Sequence, residues 1–224
     1  RYIAHYAHAY GACVLVDAAQ SLPHEKLDVK ELDPDFLVFS GHKMMGPTGI
    51  GVLYCAERTH CDVCPYQRGG GMVASVDFDE SVYLSMPYKL EAGTPPIAAA
   101  IGLARAVDYI YTTINFDDLH RHESLLMSRF IDGLETIKKV KIYGPVDQLK
   151  LYSHIVSFSI DGIHPHDGAA LCDQYGICIR AGFHCANPLA KMLNSGPTLR
   201  ASVYVYNTTD DIDRLLVCID TLAV

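Results

Sequence analysis

The chain has 224 residues, of which 50% are hydrophobic and 20% are charged, a composition typical of folded globular proteins rather than disordered ones. This length predicts one large or two small domains. The 18 Lys and Arg residues against 26 Asp and Glu residues give a net charge of -8, which argues against nucleic acids and anionic membrane surfaces as general partners. Any anion-binding site must therefore depend on a local group of positive charges rather than on the net charge of the chain.

The sequence contains no uninterrupted apolar stretch of the ~20 residues that a membrane helix requires, and its N-terminus lacks the pattern of a secretory signal. The eight cysteines fall below the density of a disulfide scaffold. Four of them (Cys13, Cys172, Cys178, Cys218) lie singly in apolar runs, where reduced, buried thiols are predicted. We therefore expect a reducing compartment, the cytoplasm, with an organellar stroma or matrix left open. Because the first residue is Arg1, we expect the sequence to begin inside a longer protein.

The first half of the chain alternates short apolar runs with turns rich in glycine and proline, which predicts strands joined by loops. The run that ends at Asp17 predicts a buried parallel strand that delivers a carboxylate at its C-terminal edge. In chain order, the predicted elements are a helix over residues 1–10, strands over residues 13–17, 36–40 and 50–55, and a helix over residues 96–112.

A new pattern begins near Asn115, and we place a domain boundary near residue 113. Leucines over residues 117–139 fall largely on one side of a long amphipathic helix. Strands and helices then alternate. The predicted elements are strands over residues 140–143, 153–160, 176–179 and 199–205, and helices over residues 166–175 and 210–222.

Two of the predicted strands end in polar residues, at the edge where open α/β sheets bind ligands. Asp17 ends the first strand, and Ser40, His42 and Lys43 follow from the second. Hydroxyl and imidazole groups donate hydrogen bonds to a phosphate, an amine forms a Schiff base with a carbonyl, and a carboxylate holds a heterocyclic nitrogen protonated. Together these residue types suit pyridoxal phosphate, although a solvated loop lysine is the alternative interpretation of Lys43.

The segments around these residues closely resemble the class V aminotransferase superfamily. They are residues 16–20, with the sequence Val-Asp-Ala-Ala-Gln, and residues 39–51, which contain Ser-Gly-His-Lys. Residues 91–95, 179–186, 199–202 and 206–208 fit the same family. The short Arg-x-Gly-x-His-Cys-Ala loop at residues 180–186 is similar to the loop of SUF-type cysteine desulfurases and selenocysteine lyases rather than to the longer NifS/IscS loop.

The resemblance implies the α/β fold of a fold-type I pyridoxal-phosphate enzyme. Residues 1–113 would be the remainder of the large cofactor-binding domain, and residues 114–224 would be a small C-terminal domain that carries the cysteine loop. The family's phosphate loop, ring-stacking histidine and an asparagine near the substrate carboxylate would all lie before Arg1. The expectation therefore concerns the longer protein.

Five positions match the family's contacts with the cofactor. The resemblance makes Lys43 the Schiff-base lysine, Asp17 the partner of the pyridine nitrogen, and Gln20 the partner of the ring hydroxyl. Ser40 and His42 match contacts with the cofactor phosphate. An ionised carboxylate at Asp17 would keep the ring able to withdraw electrons when a substrate Cα proton leaves.

Further positions match the family's substrate and subunit contacts. Thr94 matches a residue that reaches the phosphate of the other subunit, which implies a homodimer with shared active sites. Arg200 matches the clamp on the substrate carboxylate, for which a planar guanidinium offers two parallel hydrogen bonds. Arg180 receives a substrate-side role, and Cys185 is the thiolate nucleophile, which His184 and Arg180 would favour electrostatically.

For the complete protein the resemblance implies removal of sulfur from L-cysteine, with a persulfide left on Cys185 and alanine released. The persulfide would pass to a SUF-type acceptor protein for iron-sulfur cluster assembly. Three alternatives stay open: a selenocysteine lyase acting on L-selenocysteine, another aminotransferase-like enzyme of class V, and a noncatalytic fragment that binds or dimerises.

Cys61 and Cys64 have the spacing of half a zinc site, and Cys55 and His60 are close in sequence. The sequence offers no second Cys/His pair at ligand spacing. We therefore expect no metal.

Overall fold

The computed structural model describes residues 1–223, which form two compact units. The first unit ends at Ile114 and the second begins at Asn115. Each unit contains its own sheet and helices. Among the described residues, no single helix has both the length and the apolar character of a membrane span. One pair of consecutive helices, Ile97–Thr113 and Phe116–Thr136, reaches that length and composition when taken together, but the pair is bent by 84°.

The first unit is built on a three-stranded sheet in the order β1-β2-β3. Its elements are α1 (Tyr2–Ala9), β1 (Leu15–Asp17), α2 (Val29–Leu32), β2 (Phe36–Ser40), β3 (Gly51–Cys55), β4 (Val73–Val76), β5 (Ser81–Tyr83) and α3 (Ile97–Thr113). Strands β1 and β2 are parallel, β2 and β3 are antiparallel, and β4 and β5 form a separate hairpin. Because β1 and β2 run in the same direction, their C-terminal ends lie at the same edge of the sheet.

The prediction of a buried first strand is wrong. Strand β1 lies at the edge of the sheet, and Leu15 is 59% exposed. Cys13, which precedes the strand, is exposed too, although a buried thiol was expected. An apolar run favours a strand, but tertiary packing decides how many neighbours cover it.

The second unit is built on a four-stranded sheet in the order β6-β7-β9-β8, in which all neighbouring strands are antiparallel. Its elements are α4 (Phe116–Thr136), β6 (Val140–Tyr143), α5 (Val146–Tyr152), β7 (Ile155–Ile160), α6 (Pro165–Gln174), β8 (Arg180–Gly182), α7 (Asn187–Met192), β9 (Thr198–Ser202) and α8 (Thr209–Leu222). One buried cluster joins the sheet to α4 and α8. At its centre Phe130 contacts Phe158 edge to face, with ring centroids 5.8 Å apart.

Two strands of the second unit differ from their predicted positions. The strand expected over residues 176–179 lies instead at Arg180–Gly182, and the one expected over residues 199–205 ends at Ser202. Gly176 adopts a φ of 71° just after α6, and the next residue, Ile177, donates its N–H to a carbonyl of the helix. The chain therefore completes the end of the helix before it extends into the sheet.

The cysteines of the second unit divide into buried and exposed thiols. Cys172 and Cys218 are buried as predicted, with their sulfur atoms 3.3 Å apart. Cys178 is exposed, so its predicted burial is wrong. It lies in the loop before β8, where the expected strand does not form.

A buried ionic cluster joins α1 to the sheet of the first unit. The carboxylate of Asp35 accepts hydrogen bonds from the Val14 N–H and from Arg58 Nε, both at 2.7 Å. The Nε2 atom of His8 lies 2.9 Å from the same carboxylate. Burial by itself would raise the pKa of Asp35, but these three partners outweigh it and lower the pKa to about 2.

We expect the stability of the first unit to depend on ionised Asp35. Because the folded-state pKa of about 2 lies below the ordinary value of 3.8, the unfolded chain binds the proton first as the pH falls. Above the ordinary pKa, Asp35 therefore makes its full contribution to the free energy of unfolding. About 2 kcal/mol of that free energy is lost as the pH falls toward the folded-state pKa. Urea unfolding should show that the free energy of unfolding of wild type exceeds that of Asp35→Asn, and that this difference shrinks as the pH falls from 3.8 to about 2. A difference that is the same at both ends of this interval would contradict the prediction.

Candidate active site

Lys43 lies in a short 3-10 turn, Gly41–Met44, that follows directly from β2. The Gly41 N–H donates to the Ile50 carbonyl at 2.9 Å, and the Gly46 N–H donates to the Gly41 carbonyl at 3.0 Å. A Cβ atom at Gly41 would lie 2.8 Å from the Ile50 side chain, so the turn packs this closely only because glycine is present. The tight turn fixes the backbone of Lys43 at the end of the sheet.

Lys43 and Asp17 lie at the same edge of the sheet of the first unit. The side chain of Lys43 is half-buried, and no residue in the described part of the chain pairs with its amine. Asp17 ends β1, and one of its oxygens accepts the Ala19 N–H at 3.0 Å. Since Asp17 pairs in register with Val38, Ser40 lies two residues beyond that pair at the same edge. The sheet therefore brings an acid, a hydroxyl and an amine together, as the sequence predicted.

The remaining predicted cofactor residues are exposed. Gln20 lies in the turn after β1, and His42 precedes Lys43 in the 3-10 turn. Thr94 follows Gly93, which has a φ of 88° and donates its N–H to the Gly70 carbonyl at 2.9 Å. The glycine-rich loop thus supports the loop that carries Thr94, a support that sequence reasoning did not identify.

In the second unit, two arginines face each other across β8 and β9. Arg180 and Arg200 are direct partners in the antiparallel register, so their side chains leave the same face of the sheet. The Nη2 atom of Arg180 donates to Cys185 Sγ at 3.7 Å. The Nε atom of Arg200 is buried without a hydrogen-bond partner in the described structure. Two guanidinium groups that no carboxylate neutralises therefore lie around the cysteine loop.

The pKa of Arg200 is lowered from its ordinary value. Burial is the main cause that lowers the pKa of Arg200, and the charge of Arg180 lowers it further, while Cys185 acts in the opposite direction. A guanidinium stays protonated at physiological pH, so the two charges repel each other. A carboxylate bound between them would relieve that repulsion and accept two parallel hydrogen bonds from Arg200.

Cys185 lies in a turn with an unusual backbone. His184 and Cys185 both have positive φ angles, 55° and 63°, which are uncommon for residues other than glycine. The surrounding structure must hold such a conformation, and this kind of strain concentrates at functional sites. His184 fixes the turn to β9, because its Nε2 lies 3.0 Å from both the carbonyl and the hydroxyl oxygen of Thr198. The turn presents the Cys185 thiol to solvent.

Thr198 anchors the turn that carries Cys185, a contact that the sequence did not reveal. It is buried at the start of β9, opposite Gly182 in the register. In the sequence it is only a threonine that begins a strand, and its bond to His184 spans 14 residues. The strand also contains Arg200 and Ser202, so a polar residue at its first position was not a distinctive signal.

Comparison with known proteins places the chain in a family. The class-V aminotransferase family model matches residues 1–215. A protein of Halalkalibacterium halodurans named probable cysteine desulfurase is 47% identical over 214 residues, which are 95% of this chain and 51% of the relative. A protein of Haloferax volcanii named cysteine desulfurase is 42% identical over 218 residues, 97% of this chain and 50% of the relative. The chain thus spans about half the length of the curated relatives it matches.

Solved structures agree with this assignment. The apo structure of a cysteine desulfurase from Thermococcus onnurineus has a TM-score of 0.92 and 42% identity, covering 99% of this chain and 55% of that one. A cysteine desulfurase from Escherichia coli has a TM-score of 0.90 and 39% identity, covering 97% and 53%. The chain therefore belongs to the class V aminotransferase family. Within it, these relatives and solved structures are named cysteine desulfurases.

The titration of His184 tests the arrangement of the cysteine loop. Burial is the main cause that lowers the pKa of His184, followed by the charge of Arg200, and Arg180 contributes least. Because a positive charge disfavours the imidazolium, Arg200→Gln should raise the pKa of His184, and Arg180→Gln should raise it less. Titration of the imidazole by NMR measures both. An unchanged pKa in Arg200→Gln, or a larger rise in Arg180→Gln, would show that the described arrangement is wrong.

Proposed function

We propose that the protein containing this chain is a pyridoxal-phosphate-dependent cysteine desulfurase, which converts L-cysteine to L-alanine and collects the sulfur on Cys185. The observation that carries the proposal is the exposed Cys185 thiol, held in a strained turn beside Arg180 and facing an unneutralised Arg200. Membership of the class V aminotransferase family and the names of its relatives support the same reaction.

The first unit offers groups that fit pyridoxal phosphate. The half-buried, unpaired amine of Lys43 would hold the aldehyde carbon, and Asp17 would keep the ring nitrogen protonated. Ser40 and His42 would donate to the phosphate, and Gln20 would contact the ring hydroxyl. When bound, the cofactor supplies an electron sink for the charge released at the substrate Cα. Lys43 Nζ would then take up the Cα proton.

The second unit offers groups that fit the substrate and the departing sulfur. Arg200 would bind the carboxylate of L-cysteine through two parallel hydrogen bonds. The thiolate of Cys185, stabilised by the Arg180 guanidinium, would attack the substrate sulfur. A sulfur–sulfur bond forms as the carbon–sulfur bond breaks, and its electron pair stays with carbon, which takes up a proton and becomes the methyl group of alanine. The sulfur then remains on Cys185 as a persulfide.

We also propose an oligomeric state, a compartment and a partner protein for the enzyme. The exposure of Thr94 supports a homodimer with shared active sites, and a hydrogen bond between the Gly93 N–H and the Gly70 carbonyl holds the loop that carries it. A reducing compartment such as the cytoplasm is supported by the eight cysteines, which are all free thiols. A SUF-type acceptor protein would take the persulfide from the exposed Cys185 for iron-sulfur cluster assembly.

Replacement of Cys185 tests the persulfide role. Alanine formation from L-cysteine, measured on the purified protein with cofactor and a thiol reductant, should fall by more than about 100-fold in Cys185→Ala, because the sulfur loses its nucleophile. Cys178→Ala is the matched control, since Cys178 is also exposed in the second unit, and its rate should stay within about two-fold of wild type. A Cys185→Ala protein that retains the wild-type rate would refute the proposal. A wild-type protein that acts on L-selenocysteine but not on L-cysteine would favour the lyase alternative.

Replacement of Lys43 tests cofactor attachment independently of turnover. Lys43→Ala should lose the visible absorbance of covalently held pyridoxal phosphate, because an alanine has no amine to condense with the aldehyde. Lys26→Ala removes an exposed lysine of the same unit and should keep that absorbance. Loss of the band in Lys26→Ala but not in Lys43→Ala would assign the cofactor to another lysine.

A further inference from the structure

A second group of reactive side chains lies in the first unit, apart from the residues proposed for catalysis. Cys61 and Cys64 both line a cleft of about 740 Å³, together with the cationic side chains of Arg68 and Lys89. Both thiols are exposed. The cleft thus combines two nucleophiles with two positive charges.

The charge of the cleft favours an anion. Within the described structure its lining includes no aspartate or glutamate, while Lys89 and Arg68 both contribute. Lys89 Nζ donates to the His60 carbonyl at 2.5 Å, which fixes the ammonium group beside the residue that precedes Cys61. A fixed cation in a concave site raises the local concentration of negatively charged ligands.

The backbone forms a turn that contains Cys61 and ends just before Cys64. The N–H groups of Asp62 and Val63 both donate to the Thr59 carbonyl, at 3.1 and 3.3 Å, and the next residue is Cys64. Thiols at this spacing form the dithiols that exchange with disulfides. Across residues 1–223, no third His, Cys, Asp or Glu donor joins this pair in a cluster with metal-ligand spacing.

We propose that Cys61 and Cys64 form a redox-active dithiol that reduces small anionic disulfides bound in this cleft. One thiolate attacks a sulfur of the disulfide, so that a mixed disulfide forms and one thiolate of the ligand leaves. The second cysteine then attacks the protein sulfur of the mixed disulfide, which closes a Cys61–Cys64 disulfide and releases the second ligand thiolate. Two electrons pass from the cysteines to the ligand, and the two thiol protons pass to the ligand thiolates or to water.

Glutathione disulfide is the probe for this reaction. The purified protein is incubated with it, blocked with N-ethylmaleimide and digested with trypsin. Cleavage after Arg58 and Arg68 releases a peptide of residues 59–68 that holds both cysteines and no other. We expect this peptide to escape alkylation and to be lighter than the reduced peptide by two hydrogen atoms, while exposed Cys13 forms no internal disulfide.

Single replacements check the order of steps. In Cys61→Ser and in Cys64→Ser the remaining cysteine should keep one bound glutathione, because no second thiol is present to release it. A wild-type peptide that stays fully alkylated, or that carries a glutathione on each cysteine, would overturn the proposal. This result on unsubstituted protein is independent of whether a variant folds, and circular dichroism checks the variants.

The charge of the disulfide tests the cleft. Each rate is divided by the rate at which free cysteine reacts with the same disulfide. At low salt, wild-type protein should then react about 3- to 10-fold faster with anionic glutathione disulfide than with neutral hydroxyethyl disulfide. Its reaction with cationic cystamine should be the slowest of the three. Lys89→Gln should lose part of this preference and keep its rate with the neutral disulfide. Equal relative rates for the three disulfides in wild type would overturn the assignment of an anionic ligand.

Discussion

The antiparallel pairing of β8 with β9 is the constraint on which the cysteine loop depends. It sets Arg180 opposite Arg200 and Gly182 opposite Thr198, so one register fixes the guanidinium pair and the anchor of His184 together. A slip by one residue would send one arginine to the other face of the sheet. The position of the thiol then follows from a short connection, because Cys185 lies three residues beyond the end of β8.

The cations of the chain differ in whether a carboxylate lies beside them. In this chain of net charge -8, three of the cations pair with acids across the fold: Arg58 with Asp33 and Asp35, Arg129 with Asp213, and Lys150 with Asp132 and Glu135. Lys43, Arg180 and Arg200 have no such partner in the described part of the chain, although Lys43 and Arg200 are half-buried. The proposed cofactor and substrate contacts of Lys43 and Arg200 are therefore made by cations whose charge no carboxylate in the described part of the chain already neutralises.

Sequence reasoning succeeded where the relevant distances along the chain are short. Asp17, Ser40 and Lys43 follow directly from adjacent strands, and Arg180 contacts a cysteine five residues away. It failed where distant segments decide the outcome. The exposure of β1 depends on its neighbours in the sheet, the support of the Thr94 loop comes from Gly70, and the cleft at Cys61 is completed by residues more than 20 positions later. No local pattern encodes these pairings.

The eight free thiols of the chain differ in burial and in the charges that lie beside them. Burial raises the pKa of Cys172 to about 12, with the neighbouring Cys218 adding to the effect, so this thiol stays protonated and behaves as a small apolar group. Cys185 is instead exposed with a guanidinium 3.7 Å from its sulfur, and Cys61 and Cys64 share a cleft with two cations. Thiolate reactivity requires both access and nearby positive charge. The fold supplies both at two places in separate units, and burial removes both from the thiols of the core.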